Sequence, residues 1–205
     1  LKASLEKPVR LYYQDFDGNG KNEQILTYYI GDRELPFANK EELQKQLPGL
    51  KKQFLYAEDF AKADLPTLLG AENLKKANVL SADYFSSAIL INKGDMKFDV
   101  QALPWQSQLS IYKDAVVSDV NADGKPDFIL AGNFYESNIQ MGRYDADYGT
   151  VLINKGNGQF IPETVQGPLL RSQYRHIQPI TIGQQKAFVW AANNDSLRVI
   201  RLQNR

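Results

Sequence analysis

Short apolar runs separated by clusters of Asp, Asn and Gly fill most of the chain, and one stretch breaks that pattern. Residues 9–13 and 24–30 are β-branched and aromatic and read as the two strands of a hairpin, and residues 112–120 and 128–131 read the same way. Residues 88–98 and 150–160 are each strand, Gly turn, strand, and both contain Ile-Asn-Lys-Gly, at 91–94 and 153–156. A last group at 174–182, 186–192 and 197–202 is joined at its first turn by Gly183-Gln184-Gln185. Between 39 and 80 the periodicity is helical. Asn39 with Glu42 three positions on is a capping box, Leu43 and Leu47 share a face, and Pro48-Gly49 stops the helix. A second helix is expected over 51–62, a short one from an Asp64 cap through Leu69 closed by Gly70, and another at 71–76. Leu43, Leu47, Leu50, Phe54, Leu55, Phe60, Leu68 and Leu69 are more apolar positions than three short helices need for each other, so some are expected to cover neighbouring strands.

The strand groups repeat. Asn92 follows Asp15 at a greater separation than Asn154 follows Asp119, and the excess equals the length of the helical stretch 39–80. That stretch is therefore an insertion in the first copy of a shared unit, and removing it leaves a single loop-to-loop period between Asp15 and Asp119. One more period lands on Thr181, where the third group forms a degenerate copy. Repeats of about 40–50 residues with four strands and a periodic turn point to propeller blades, of which a ring needs about four to eight. The expected fold is mainly β, part of a β-propeller with an α-helical insertion, in units of about 8–104, 105–170 and 171–205.

The turns between the first two strands of each full copy carry the candidate chemistry. Residues 119–127, Asp-Val-Asn-Ala-Asp-Gly-Lys-Pro-Asp, place oxygens at every second position and then bend. Calcium takes six to eight oxygens at about 2.3–2.6 Å. Asp119, Asn121, Asp123 and Asp127, with the carbonyl of Lys125, supply such a set. Residues 15–23 repeat it with Asp15, Asp17, Asn19, Glu23 and the carbonyl of Lys21. Asp, Asn and Gly also make plain turns, but two copies, each followed by an apolar strand, favour Ca2+ loops. An EF-hand does not fit, because Leu26 and Leu130 hold the twelfth position where it needs Glu. The second loop is expected to bind more tightly, since Asp127 is shorter than Glu23 and Pro126 stiffens the chain. The third turn has no carboxylate and is expected to bind no metal.

Composition narrows the partners. In 205 residues, 24 basic and 24 acidic side chains cancel, so nothing draws the chain to nucleic acid. The absence of cysteine excludes disulfides, thiol catalysis and thiolate zinc and leaves the redox compartment undecided. No apolar run approaches the roughly 20 residues that a spanning helix needs, so no membrane span is expected, and positions 1–10 lack a signal-peptide core. The abrupt start reads as that of a piece of a longer chain. The only histidine, His176, sits in an apolar run with no nucleophile motif and reads as a strand residue. No catalytic residue is expected.

The connection 133–149 exceeds the roughly 12–15 residues beyond which a loop usually binds or gates something. Tyr135, Glu136, Arg143, Tyr144, Asp145, Asp147 and Tyr148 suit a sugar or protein surface. The plainer reading is that Arg143 pairs with Asp145 or Asp147 while the tyrosines lid a blade.

The two Asp/Asn loops, each followed by an apolar strand and later by Ile-Asn-Lys-Gly, resemble FG-GAP/VCBS repeats, the propeller blades also found in integrin α-subunits. Leu-Pro-Phe-Ala at 35–38, Gly-Asn-Phe-Tyr at 132–135, the stretch 142–149 and Asn-Asn-Asp at 193–195 look like the C-terminal end of the VCBS-repeat proteins of Bacteroidetes related to cartilage acidic protein, of the ASPIC/UnbV kind. The resemblance covers nearly the whole chain. It implies secretion or attachment at the cell envelope, calcium in the blade loops and no established enzymatic activity. Glu23 departs from the usual closing Asp. The expected function is an extracellular, calcium-stabilised binding or interaction module of a larger protein, with a protein or glycan ligand held by Tyr135, Arg143, Tyr144, Asp145 and Tyr148. The alternative is a carbohydrate-active or polysaccharide-binding domain of a secreted protein. Homo-oligomerisation through exposed blade faces is expected if nothing else covers them.

Overall fold

The computed structural model describes residues 2–139, 141–165 and 170–201. The chain is mainly β, in several antiparallel sheets, and divides after Phe85 into two compact units. Among the described residues no helix is long and apolar enough to cross a membrane.

In the first unit, β1 (Val9–Gln14) and β2 (Glu23–Ile30) form the expected hairpin around the first loop. Two further strands lie outside the expected pattern. β3 (Arg33–Pro36) pairs with β2 through the turn Gly31-Asp32, and β4 (Asn78–Ala82) pairs with β1, giving the order β3-β2-β1-β4. Residues 78–80, expected as the end of the helical insertion, are thus strand, with Leu80 opposite Leu11.

The insertion is otherwise helical: α1 (Lys40–Gln46), α2 (Leu50–Gln53), α3 (Ala57–Lys62), α4 (Leu65–Leu69) and α5 (Ala71–Lys76). The Asn39 side chain accepts from the Glu42 amide while Glu42 accepts from the Asn39 amide, and Asp64 caps α4 by accepting from the Thr67 amide. The helix expected over 51–62 breaks in two. Phe54 leaves the helical path with an extended backbone, is buried, and meets Phe60 edge-on with ring centroids 5.8 Å apart. Leu43, Leu47, Leu50, Phe54, Leu65, Leu68 and Leu69 share one core with Phe16 of the first loop and Ile25 of β2, so the helices do cover strand residues. Leu55 instead faces solvent.

The second unit begins with β5 (Ala88–Gly94) and β6 (Lys97–Ala102), a hairpin that forms a two-stranded sheet of its own. The repeat pattern predicts that it completes the sheet of the first hairpin; in that sheet, β3 and β4 occupy the two flanks of β1 and β2 instead. A four-stranded meander follows, β7 (Tyr112–Ser118), β8 (Asp127–Gly132), β9 (Thr150–Gly156) and β10 (Gln159–Thr164), matching the expected second copy strand for strand. The third copy is also present as β11 (Tyr174–Ile182), β12 (Gln185–Ala192) and β13 (Arg198–Arg201), turning at Gly183-Gln184. Position 202, expected at the end of the last strand, lies outside the described residues. Ile129, Val151 and Ile153 of the meander pack with Tyr174, Ile177, Phe188 and Trp190 of the last sheet in one core. Among the described residues no sheet closes on itself.

Candidate cation loops and the adjoining aromatic surface

The two Asp/Asn loops share one hydrogen-bond scaffold. In the first, both carboxylate oxygens of Asp15 accept backbone N–H groups, Oδ1 from Asn19 at 3.0 Å and Oδ2 from Gly20 at 2.9 Å. Asp17 Oδ1 accepts from the Asn19 amide and Asn19 Oδ1 from the Lys21 amide. In the second, Asp119 accepts from the Asp123 and Gly124 amides, Asn121 Oδ1 from the Asp123 amide and Asp123 Oδ1 from the Lys125 amide. Gly20 and Gly124 both have left-handed backbones, at φ +83° and +80°, which a Cβ would strain. The closing acids match too: Glu23 accepts from the Phe16 amide, and Asp127 from the Val120 amide, each at 2.9 Å. The Lys125 amide is the largest cause that holds the Asp123 carboxyl below the usual range.

One difference separates them. In the first loop, oxygens of Asp15, Asp17 and Glu23 lie within 4.8 Å of one another. Among the described residues this is the one such acidic trio; Asp119, Asp123 and Asp127 are not gathered in the same way. Asp127, with no exposed surface, has both oxygens engaged, because its Oδ1 accepts from the Asn154 amide at 2.8 Å. Asn154 also donates to the Pro126 carbonyl and accepts from the Gly156 amide, which explains the Ile-Asn-Lys-Gly string as a lock between β9 and the loop. The expectation that the second loop binds more tightly thus meets a geometry that gathers carboxylates at the first.

The loop 133–149 leaves β8 and enters β9 through a buried polar hub. Asn133, fully buried with a left-handed φ of +78°, donates to the carbonyls of Asp147 (2.8 Å) and Ser172 (3.0 Å). Its Oδ1 accepts from the Asp147 amide (3.0 Å) and the Ser110 hydroxyl (2.7 Å). Beyond the hub, Phe134 and Tyr144 exchange backbone hydrogen bonds at 2.8 and 2.9 Å, closing the loop on itself.

Arg143 does not pair with Asp145 or Asp147 among the described residues. Its guanidinium lies 5.2 Å from the Tyr135 ring centroid, and Arg171 lies 5.3 Å from that of Tyr148, both within cation–π range. Burial, and after it the charge of Asp145, pushes the Tyr135 hydroxyl up, with Asp195 and Tyr148 also in electrostatic reach. Arg143, Asp145 and Tyr148 thus all lie within electrostatic reach of Tyr135, while Tyr144 bonds Phe134 through its backbone alone and its side chain is half-buried. Tyr148 stays 39% exposed and Asp147 is buried.

Ser172, Gln173 and Arg175 are participants that carry no sequence signal. Glu136 accepts from Gln173, from Asn193 at 2.9 Å and from Arg175 at 3.3 Å, and Asp195 accepts from Ser172 at 2.9 Å. Hydrogen bonding from Gln173 is the largest influence that lowers the Glu136 carboxyl. His176, in β11, is exposed and lies 3.4 Å from Asp114, with its ring at the surface. Comparison of the chain with protein-family models, with curated proteins and with solved structures gives no match.

Proposed function

We propose that this chain is part of a β-propeller of FG-GAP/VCBS type, an extracellular or envelope-attached binding module whose blade loops are stabilised by Ca2+. The observation that carries this reading is the shared hydrogen-bond scaffold of loops 15–23 and 119–127, which holds side-chain oxygens at alternate positions, together with the convergence of Asp15, Asp17 and Glu23. Asp15, Asp17, Asn19 and Glu23 with the Lys21 carbonyl would hold the ion in the first loop, and Asp119, Asn121, Asp123 and Asp127 with the Lys125 carbonyl in the second. Since acidic oxygens converge at the first loop and not, among the described residues, at the second, the first loop is the stronger site. The ion supplies charge neutralisation and cross-linking; no reaction step is assigned to it.

The hairpin β5–β6 supports the blade reading from another side. Leu90, Phe98 and Val100 lie on one of its faces, since Leu90 is opposite Val100 and Phe98 opposite Asn92, and all three are exposed. Exposed apolar faces of that kind are what stacked blades cover.

The surface of Tyr135, Arg143, Asp145 and Tyr148 is the ligand surface, for a protein or a glycan. The exposed Tyr148 ring and the stacked guanidiniums favour a glycan as a second reading, because aromatic rings stack on sugars while Arg and Asp hydrogen-bond hydroxyls. Melting curves in calcium and in chelator test the metal half: equal midpoints would reduce both loops to turns. A glycan array with a hydrolysis assay tests the rest: binding without turnover supports the module, and turnover contradicts it.

A further inference from the structure

We propose that Asp147 is a protonation-controlled latch: the loop 133–149 is held most tightly when this carboxyl is neutral and loosens when it ionises. The inference rests on the loop's anchoring geometry and holds whatever the surface binds.

Asp147 sits where the loop rejoins the sheet, and its two oxygens have unequal surroundings. Oδ1 accepts three hydrogen bonds, from the Gly149 amide at 3.3 Å, the Thr150 amide at 3.1 Å and the Thr150 hydroxyl at 2.7 Å. Among the described residues Oδ2 is buried with no partner, in a residue only 2% exposed. A carboxylate spreads its charge over both oxygens, so an ionised Asp147 leaves half of that charge in an unsolvated, unpaired position, whereas a neutral carboxyl removes most of the penalty. The backbone cannot easily swing Oδ2 to water. Gly149 next to it has a left-handed φ of +95° and so little room that a Cβ would fall 2.8 Å from Leu170, and the Asp147 amide and carbonyl are both gripped by Asn133.

No positive charge compensates among the described residues. From β7 the facing titratable group is Tyr112, whose hydroxyl donates to Thr150 Oγ1 at 3.2 Å and is itself pushed up mainly by burial. Ser107, from the turn before β7, adds a buried, uncharged hydroxyl near Tyr112. Arg171, beside the Ser172 carbonyl that Asn133 holds, places its guanidinium over Tyr148. The loop's other carboxyls, Glu136 and Asp145, are exposed. Burial accordingly pushes the Asp147 carboxyl above the usual carboxylate range, with the bonds from Thr150 and Gly149 opposing it.

A group whose folded-state value is raised contributes stability that is complete below its unfolded value and is lost as pH rises through the folded one. The anchoring of the loop is therefore strongest below the ordinary carboxylate value of about 3.9 and is lost as pH rises through the raised one. Because Asp147 holds the strand entry that carries Tyr148 and the Asn133 hub, this pH dependence reaches the ligand surface.

Amide hydrogen exchange on the full chain, corrected for intrinsic pH dependence, reads the latch directly at Phe134, Tyr144, Asp147 and Thr150. Protection there is expected to fall as pH rises from below the ordinary carboxylate value of about 3.9 to neutrality, by roughly tenfold for each unit by which the folded value exceeds the unfolded one. Asp147→Asn keeps an acceptor for Thr150 and cannot ionise, so its loop protection is expected to be flat across the same range. Wild-type protection independent of pH, or an equal fall in Asp147→Asn, would overturn the proposal. If the variant does not fold, carbon NMR of the wild-type Asp147 carboxyl decides: a midpoint at or below the ordinary value of about 3.9 overturns the latch, and a higher one supports it.

Discussion

Replacing Asn133 isolates how much the buried hub contributes. Its side chain makes four hydrogen bonds, two to backbone carbonyls, one from a backbone amide and one from a hydroxyl, all shielded from solvent. Because its φ is positive, Asn133→Gly removes the side chain without straining the backbone. Each buried group left without a partner costs about 1–3 kcal/mol, and water entering the vacated volume recovers part of that. A net loss of roughly 3–6 kcal/mol is expected, large against the roughly 5–15 kcal/mol that holds a typical domain. Urea denaturation followed by tryptophan fluorescence measures it, since Trp190 is buried in the same unit's core while Trp105 is exposed. A midpoint shift worth less than about 1 kcal/mol, the value of a single typical hydrogen bond, would mean that the loop ends are held by packing, and that the hydrogen bonds merely accompany it.

Leu43→Ala empties a fully buried site in the helical insertion and is expected to cost about 2–5 kcal/mol, whereas Leu55→Ala, at an exposed position, should be nearly silent in the same melts. Asn39→Ala removes the acceptor of a capping box and should cost about 1 kcal/mol, with the loss of helicity visible by circular dichroism. Arg143→Ala is expected to weaken ligand capture on a glycan or protein array without moving the melting temperature, because the exposed guanidinium only stacks on Tyr135.

What can be read from the sequence follows the range of each interaction. The capping box at Asn39, the Asp64 cap and the two Asx-rich loops are closed within a few residues, so residue order alone discloses them. The hairpin at Gly183 and the meander of the second copy are read from periodicity for the same reason. β3 escapes periodicity although Gly31-Asp32 is a hairpin turn signal, because Arg-Glu-Leu-Pro does not alternate. β4 joins β1 across the whole insertion and has no local signature. The helix break at Phe54 reflects core burial overriding a periodic pattern. The difference between the two loops is hidden for a similar reason: Asn154, which occupies the second oxygen of Asp127, lies 27 residues away. The hub around Asn133 gathers Ser110, Asp147 and Ser172 from three segments, and no spacing rule joins them.

Calcium titration calorimetry on the wild type and on Asp17→Asn tests the central claim most directly. Asp17→Asn keeps the acceptor that the Asn19 amide uses while removing one charge from the trio of Asp15, Asp17 and Glu23. Saturable binding in the wild type is predicted, with its tighter phase lost or strongly weakened in the variant. A melting shift should accompany it, of about 2.7 kcal/mol at a hundredfold excess over Kd. An absence of binding heat with unchanged melting in chelator, or binding indifferent to Asp17→Asn, would contradict the account.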